Sequence, residues 1–230
     1  MIDPVLSLGA SEADPCVAYA LTSRGDDIYL RMTVLSVESV LCVMPGRRVV
    51  VAVDGETAQV AGEAVRAALP SDVEILVIDT PAGGPVWRNR FVKSSLRERI
   101  SGPFIYLDAD TLVRRDLSVA YDWDFDVAAV SNHNAARCAA PENERAFFDR
   151  CGWPFPTAAF CNAGVQYWRD TPAARDLARR YHTGWLHAAA HTGRPQDQQA
   201  FNHALDQSEA KVAVLPAAFN TQINSAPQHA

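Results

Sequence analysis

The sequence predicts an α/β fold, with a mostly parallel central sheet flanked by helices. Two observations carry this: short apolar runs alternate with segments whose apolar residues recur at helical spacing, and no repeat, low-complexity tract or linker interrupts the alternation. The 230 residues, 48% of them hydrophobic, suffice for a sizeable core, so residues 1–230 are expected to form a single domain.

The elements follow in order along the chain. Cys16 to Thr22 reads as a strand, and Arg24-Gly25-Asp26-Asp27 as a turn with capping residues. Ile28, Met32, Leu35, Val40 and Met44 then recur at helical spacing until Pro45-Gly46. Arg48 to Val53 is a second strand, Thr57 to Leu69 an Ala-rich helix and Val73 to Ile78 a third strand. Pro81 to Pro85 reads as a loop, and a helix from about Phe91 to Ile100 leads through Ser101-Gly102 to the strand Phe104 to Leu107. Beyond it the pattern predicts strands at Val127 to Val130, Ala158 to Trp168 and Val212 to Leu215. Helices are predicted at Thr171 to His187 and Asp197 to Gln207.

Charge and composition exclude several classes. A net charge of -6 argues against a nucleic-acid groove, which needs concentrated positive charge. The start, Met1-Ile2-Asp3-Pro4, lacks the basic region and apolar run of a signal peptide, and no stretch approaches the ~20 apolar residues that span a bilayer. The five cysteines are scattered without a C-x-x-C pair, so free thiols are expected and a zinc knuckle is not. These features predict a soluble cytoplasmic protein.

The most informative segment is Asp108-Ala109-Asp110-Thr111, directly after the apolar run Phe104 to Leu107. In an extended chain residues i and i+2 project to one side, so the two carboxylates converge while Ala109 points away. Open α/β sheets bind ligands outside the carboxyl ends of their strands. Two close like charges call for a cation between them, and hard oxygen ligands favour Mn²⁺ or Mg²⁺. A cation there could neutralise a departing diphosphate.

The surrounding residues strengthen that reading. Tyr106-Leu107-Asp108-Ala109-Asp110-Thr111-Leu112-Val113 resembles the metal-binding segment of family 8 glycosyltransferases, the group containing glycogenin and bacterial lipopolysaccharide galactosyltransferases. Five further pieces follow that family's order. Ala20 to Ser23 with Asp27-Ile28-Tyr29 resembles its nucleotide-base loop, and Lys93 sits in the helix before the metal strand. Phe160-Cys161-Asn162-Ala163-Gly164-Val165 resembles its Asn-Ser-Gly or Asn-Ala-Gly segment, and Asp197-Gln198 with Asn202, then Leu215-Pro216 with Asn220, resemble the pieces that close it.

The resemblance implies a GT-A (Rossmann-like) nucleotide-diphospho-sugar transferase fold, a UDP-sugar donor, Mn²⁺ (or Mg²⁺) and retention at the anomeric carbon. It implies metal ligands Asp108 and Asp110. Donor contacts would come from Thr22, Ser23, Tyr29, Lys93, Asp108, Ala109, Ala163, Gly164 and Gln198, and catalytic roles from Asp197 and Asn162. Thr22 and Ser23 would meet the uracil and Tyr29 would cover it; Lys93 would approach phosphate or sugar oxygens. Asp197 at a helix start also reads as a plain N-cap. The acceptor, whether glycan, protein, lipid or small molecule, is not legible. One departure stands out: the family's later His-x-x-Gly-x-x-Lys segment, with a third metal ligand, has no counterpart up to Pro227-Gln228-His229-Ala230. A longer chain, completion of the metal by water and diphosphate, or a degenerate site all fit, and His229 is not assigned by position alone.

Three other readings remain. A haloacid-dehalogenase-type phosphatase would use Asp108 as nucleophile and Asp110 as general acid, with Lys211 as its downstream lysine and Asp122 to Asp126 as its second acidic run. A sugar-phosphate nucleotidyltransferase would need a better phosphate loop than Ser23-Arg24-Gly25-Asp26. A catalytically decayed nucleotide-sugar-binding protein would keep the fold without turnover. His182, His187 and His191 read as a polar helix face rather than a metal site, and Trp87-Arg88-Asn89-Arg90 as a basic edge or a loop anchor.

Overall fold

In the computed structural model, which describes residues 14–135 and 138–223, seven strands form one sheet in the order β3-β2-β1-β4-β6-β5-β7. β1 (Cys16–Leu21), β2 (Val49–Asp54), β3 (Glu74–Ile78) and β4 (Phe104–Leu107) run parallel. β6 (Cys161–Trp168) lies antiparallel between β4 and β5 (Val127–Ser131), and β7 (Val212–Leu215) pairs parallel with β5.

β1, β2, β4 and β5 are buried along their whole lengths because both sheet faces are covered. Residues alternate between faces: Cys16, Ala18, Ala20, Phe104 and Tyr106 join one core, while Val17, Tyr19, Leu21, Ile105 and Leu107 join the other. The first core lies under α3 (Pro85–Arg99), α5 (Pro172–Thr192) and α6 (Gln198–Gln207). The second lies under α1 (Ile28–Val43), α2 (Gly55–Ala68) and the segment carrying Val113, Leu117 and Phe125. Every additional large aliphatic side chain buried this way contributes about 1.5–3 kcal/mol.

Most elements stand where the sequence puts them, with three differences. α3 begins at Pro85 rather than near Phe91, because proline suits the first helical turn, where an N–H would have no partner. α5 runs on to Thr192, ending at left-handed Gly193 (φ 66). A short helix, α4 (Arg145–Cys151), ends at Gly152 and packs Phe147 and Phe148 into a small satellite core with Phe160 and Ala188. His182 is not on a polar face: its Nδ1 meets the Ser94 hydroxyl at 2.8 Å and its ring packs edge-on to Phe91, joining α5 to α3. Among the described residues, no helix is long and apolar enough to cross a membrane.

The topology fixes where a ligand fits. From β1 the chain builds outward to β2 and β3, then α3 returns it across the sheet to β4 on the other side of β1. The connections therefore diverge between β1 and β4, and this leaves a crevice at their carboxyl ends.

Candidate active site

A cleft of about 190 Å³ opens at that point, lined by Thr22 after β1, Tyr29 and Met32 of α1, Pro85, Asn89 and Arg90 of α3, and Tyr106, Asp108, Ala109 and Asp110. The chain turns at Ala109 and Asp110 rather than continuing extended, with the Thr111 N–H donating to the Asp108 carbonyl at 3.1 Å. The carboxylates therefore share a turn, not one face of a strand, and both line the cleft.

Asp108 is held from three directions. Its Oδ1 accepts from the Tyr106 hydroxyl at 2.5 Å and from Lys93 Nζ at 3.1 Å. Its N–H donates to the Gly164 carbonyl at 2.7 Å. Burial and the Asp108 charge push the Tyr106 phenol well above its ordinary value, so it stays protonated and donates. A Cβ on Gly164 would stand 3.0 Å from Asp108 Oδ2 and 2.9 Å from Asn162 Oδ1, closer than real Cβ contacts allow. Gly164→Ala is therefore expected to keep the fold, at a cost of about 1–3 kcal/mol, while displacing Asp108. If Asp108 Oδ2 is a metal ligand for a bound nucleotide, titration of UDP with and without Mn²⁺ should record weaker coupling than in the parent; parent-like coupling would mean that it is not.

Behind the cleft lies a buried charge cluster. Lys93, sealed under the Tyr106 ring, also meets Asp197 Oδ2 at 2.8 Å. Asp197 accepts from the Tyr181 hydroxyl at 3.0 Å, and its Oδ1 pairs with Arg90 Nε at 3.0 Å. Burial alone would raise the Asp197 carboxyl; Lys93 and Arg90 outweigh that and hold it below its ordinary 3.8. Its stabilisation is thus complete above that value and lost only as the pH falls through the lowered one. Asp197 precedes α6 yet makes no side-chain capping bond, so the N-cap reading is corrected: the two cations claim both carboxylate oxygens.

β6 and α6 bring the remaining segments together. Asn162 Oδ1 accepts from the Gly164 N–H at 2.8 Å and from Asn220 Nδ2 at 3.0 Å. Gln198 Oε1 meets the Ala163 N–H at 3.3 Å. Asn202 pins α6 to β6 through both the N–H and the carbonyl of Cys161.

Two residues at the end of β1 are engaged elsewhere. Ser23 is buried and turned from the cleft; its hydroxyl donates to Asp27, which caps α1 through the Leu30 N–H. Gly25, at φ 101, makes the tight turn between them. Thr22 lines the cleft but donates to Asp54 at 3.0 Å. Asp54, fully buried at the end of β2, also caps α2 and pairs with Arg88 Nε at 2.9 Å. Burial would raise its carboxyl, but Thr57, Thr22 and Arg88 hold it below the ordinary value. Sequence reading missed Asp54. The Asp54-Gly55-Glu56-Thr57 capping pattern after an apolar strand was the available signal.

Two oxygen sources face the cleft for a cation. Asp108 retains Oδ2, and Asp110 is exposed with no bonded partner among the described residues. Among those residues no group of three or more His, Cys, Asp or Glu is arranged to hold a metal ion, and His229 lies outside them. The donor set fits a hard divalent cation whose other positions are filled by water or ligand oxygens. Lys211, which a phosphatase would need, pairs instead with exposed Asp124.

No protein-family model and no curated protein matches the chain. Among solved structures it is similar to the glycosyltransferase GlyE of Streptococcus pneumoniae TIGR4, at 16% sequence identity and a TM-score of 0.54, over 88% of this chain and 46% of that one. The chain thus spans less than half of that structure's length, and the likeness is one of fold.

Proposed function

We propose that the chain is a metal-dependent glycosyltransferase that takes the sugar of a UDP-sugar donor, with retention at the anomeric carbon. The observation carrying this reading is the Asp108-Ala109-Asp110 turn at the divergence of β1 and β4, in one cleft with Thr22 and Tyr29. The fold shared with a glycosyltransferase supports it. The acceptor is a separate question that these residues do not address.

In this reading Tyr29, more than half exposed at the rim, covers the uracil, and the end of β1 at Thr22 meets its edge. A divalent cation held by Asp108 and Asp110 would neutralise the departing diphosphate. Gly164, having no Cβ, lets β6 lie against Asp108 on the sugar side, with Ala163 buried beside it. Asn162 offers Nδ2, which has no partner among the described residues, as a donor to the sugar side. Asp197 and Lys93 do not line the cleft; they act through Asp108 and Arg90, fixing both from behind. Gln198 steadies the Ala163 backbone.

A second reading, nucleotide-sugar binding without turnover, is favoured by one observation: Lys93 already supplies Asp108 with a cation. Thermal-shift screening of nucleotide-sugars with and without Mn²⁺ tests the shared premise. Ligand at about 100-fold its Kd adds about 2.7 kcal/mol to the native state. A UDP-sugar should raise the melting point more with Mn²⁺ than without, and more than ADP- or GDP-sugars do. A screen in which no nucleotide-sugar shifts the transition would sink both readings.

A further inference from the structure

The basic residues around the cleft differ sharply in what they are free to do. Arg88 is buried against Asp54, with Nη1 donating to the Gly83 carbonyl at 2.5 Å. Lys93 is sealed, its side chain 2% exposed, and both of its carboxylate partners are protein groups. Arg90, one helical turn before Lys93, keeps 30% of its side chain exposed and is, among the described residues, the one basic residue that lines the cleft. Two aspartates line the same cleft. A dianionic ligand entering it meets repulsion that Lys93, sealed behind Asp108, offsets only in part, and that Arg90 or a bound cation can offset by direct contact.

Arg90 is also oriented before any ligand arrives. Nε pairs with Asp197 Oδ1 at 3.0 Å, and Nη1 donates to Asn89 Oδ1 at 2.7 Å. Asn89 in turn donates to the Ala20 carbonyl of β1 at 2.9 Å, so the guanidinium is tied to the sheet on one side and to α6 on the other. Nη2 has no partner among the described residues. A planar fork held on two edges with a donor to spare loses little entropy on binding an anion, and guanidinium geometry suits phosphate oxygens.

We propose that Arg90 is the diphosphate-binding residue of this cleft, receiving the donor's phosphate oxygens on its free edge whether or not a metal is bound. This rests on the nucleotide-sugar reading given above and adds a subsite to it. Asp197 is then a positioning residue for Arg90, and Asn89 is the second anchor. The chain gains an affinity for the diphosphate that the carboxylate pair, being acidic, cannot supply alone.

Calorimetric titration of uridine, UMP and UDP tests the assignment, with the metal chelated and with Mn²⁺ added. In chelator, the parent should bind UDP more tightly than uridine. Arg90→Gln should lose that preference, on the order of tenfold in UDP affinity, with uridine binding unchanged. Arg90→Lys keeps a counter-ion for Asp197, and so protects the fold, yet should recover only part of the preference because it lacks the planar fork. If Arg90→Lys and Arg90→Gln both bind UDP as the parent does, while UDP binding still depends on Mn²⁺, the subsite is refuted and the nucleotide-sugar reading stands. If the parent binds none of the three ligands under either condition, both fall together.

Discussion

Lys93→Met is expected to destabilise the protein by about 3–5 kcal/mol, a loss on the order of 10 °C in melting temperature for a chain of this size. Lys93 sits between Asp108 at 3.1 Å and Asp197 at 2.8 Å, with its side chain 2% exposed. Methionine fills the volume but leaves Asp197 deeply buried with Arg90 as its remaining cation. Removing one member of a buried ion cluster costs far more than the cluster's net worth, because the orphaned charge cannot reach water. Lys93→Arg should not restore the parent value, since the longer planar group does not fit a sealed ammonium site. Asp110→Asn is the control: on the exposed turn it should change stability by no more than about 0.5 kcal/mol. Equal melting points for Lys93→Met and the parent would show that the cluster is not the keystone of this end of the sheet.

The second large effect concerns turnover. Asp197→Asn should lower donor hydrolysis, measured without acceptor, on the order of tenfold or more, equivalent to ~1.4 kcal/mol in the barrier. Asparagine keeps the shape and an acceptor for Tyr181, but removes the charge that fixes Arg90 and Lys93. Orientation matters most in the reactive geometry, so turnover should fall by more than UDP affinity does. Alanine is the wrong probe here because it would empty a buried site as well as discharge it. A lowered melting point with unchanged hydrolysis would reduce Asp197 to a structural residue. Absence of hydrolysis in the parent itself would favour nucleotide-sugar binding without turnover.

Much of this arrangement was legible because local signals agreed with the global fold. β1, β2 and β4 are apolar runs of strand length, and burial on both faces is what such runs require. The position of Asp108 and Asp110 followed from the strand before them and from the place where open sheets bind ligands, although the sequence read them as extended where the chain turns. Legibility failed where a residue's partner is distant in sequence. Asp197 looks like a helix cap locally, but Lys93 and Arg90 reach it from α3 and override the capping bond. Asp54 reads as the end of a strand, yet it organises Thr22, Thr57 and Arg88. Ser23 looked available for a base, and its hydroxyl is spent within its own turn on Asp27. The early start of α3 was hidden by a proline that reads as loop punctuation, and that first stretch carries Arg90 into the cleft. α4 is too short for a periodic signal to stand out.

In the proposed transferase Asp108 and Asp110 link donor binding to a divalent cation, and the decisive measurement is UDP affinity against Mn²⁺ concentration. Asp110 is the carboxylate with no protein partner among the described residues, so its substitution removes a ligand with little disturbance to the fold. In the parent, Mn²⁺ should tighten UDP binding on the order of tenfold or more, and in Asp110→Asn most of that gain should vanish while metal-free affinity stays level or improves. If Mn²⁺ tightens UDP binding in Asp110→Asn as much as in the parent, the metal is not held at this turn and the proposed function is contradicted.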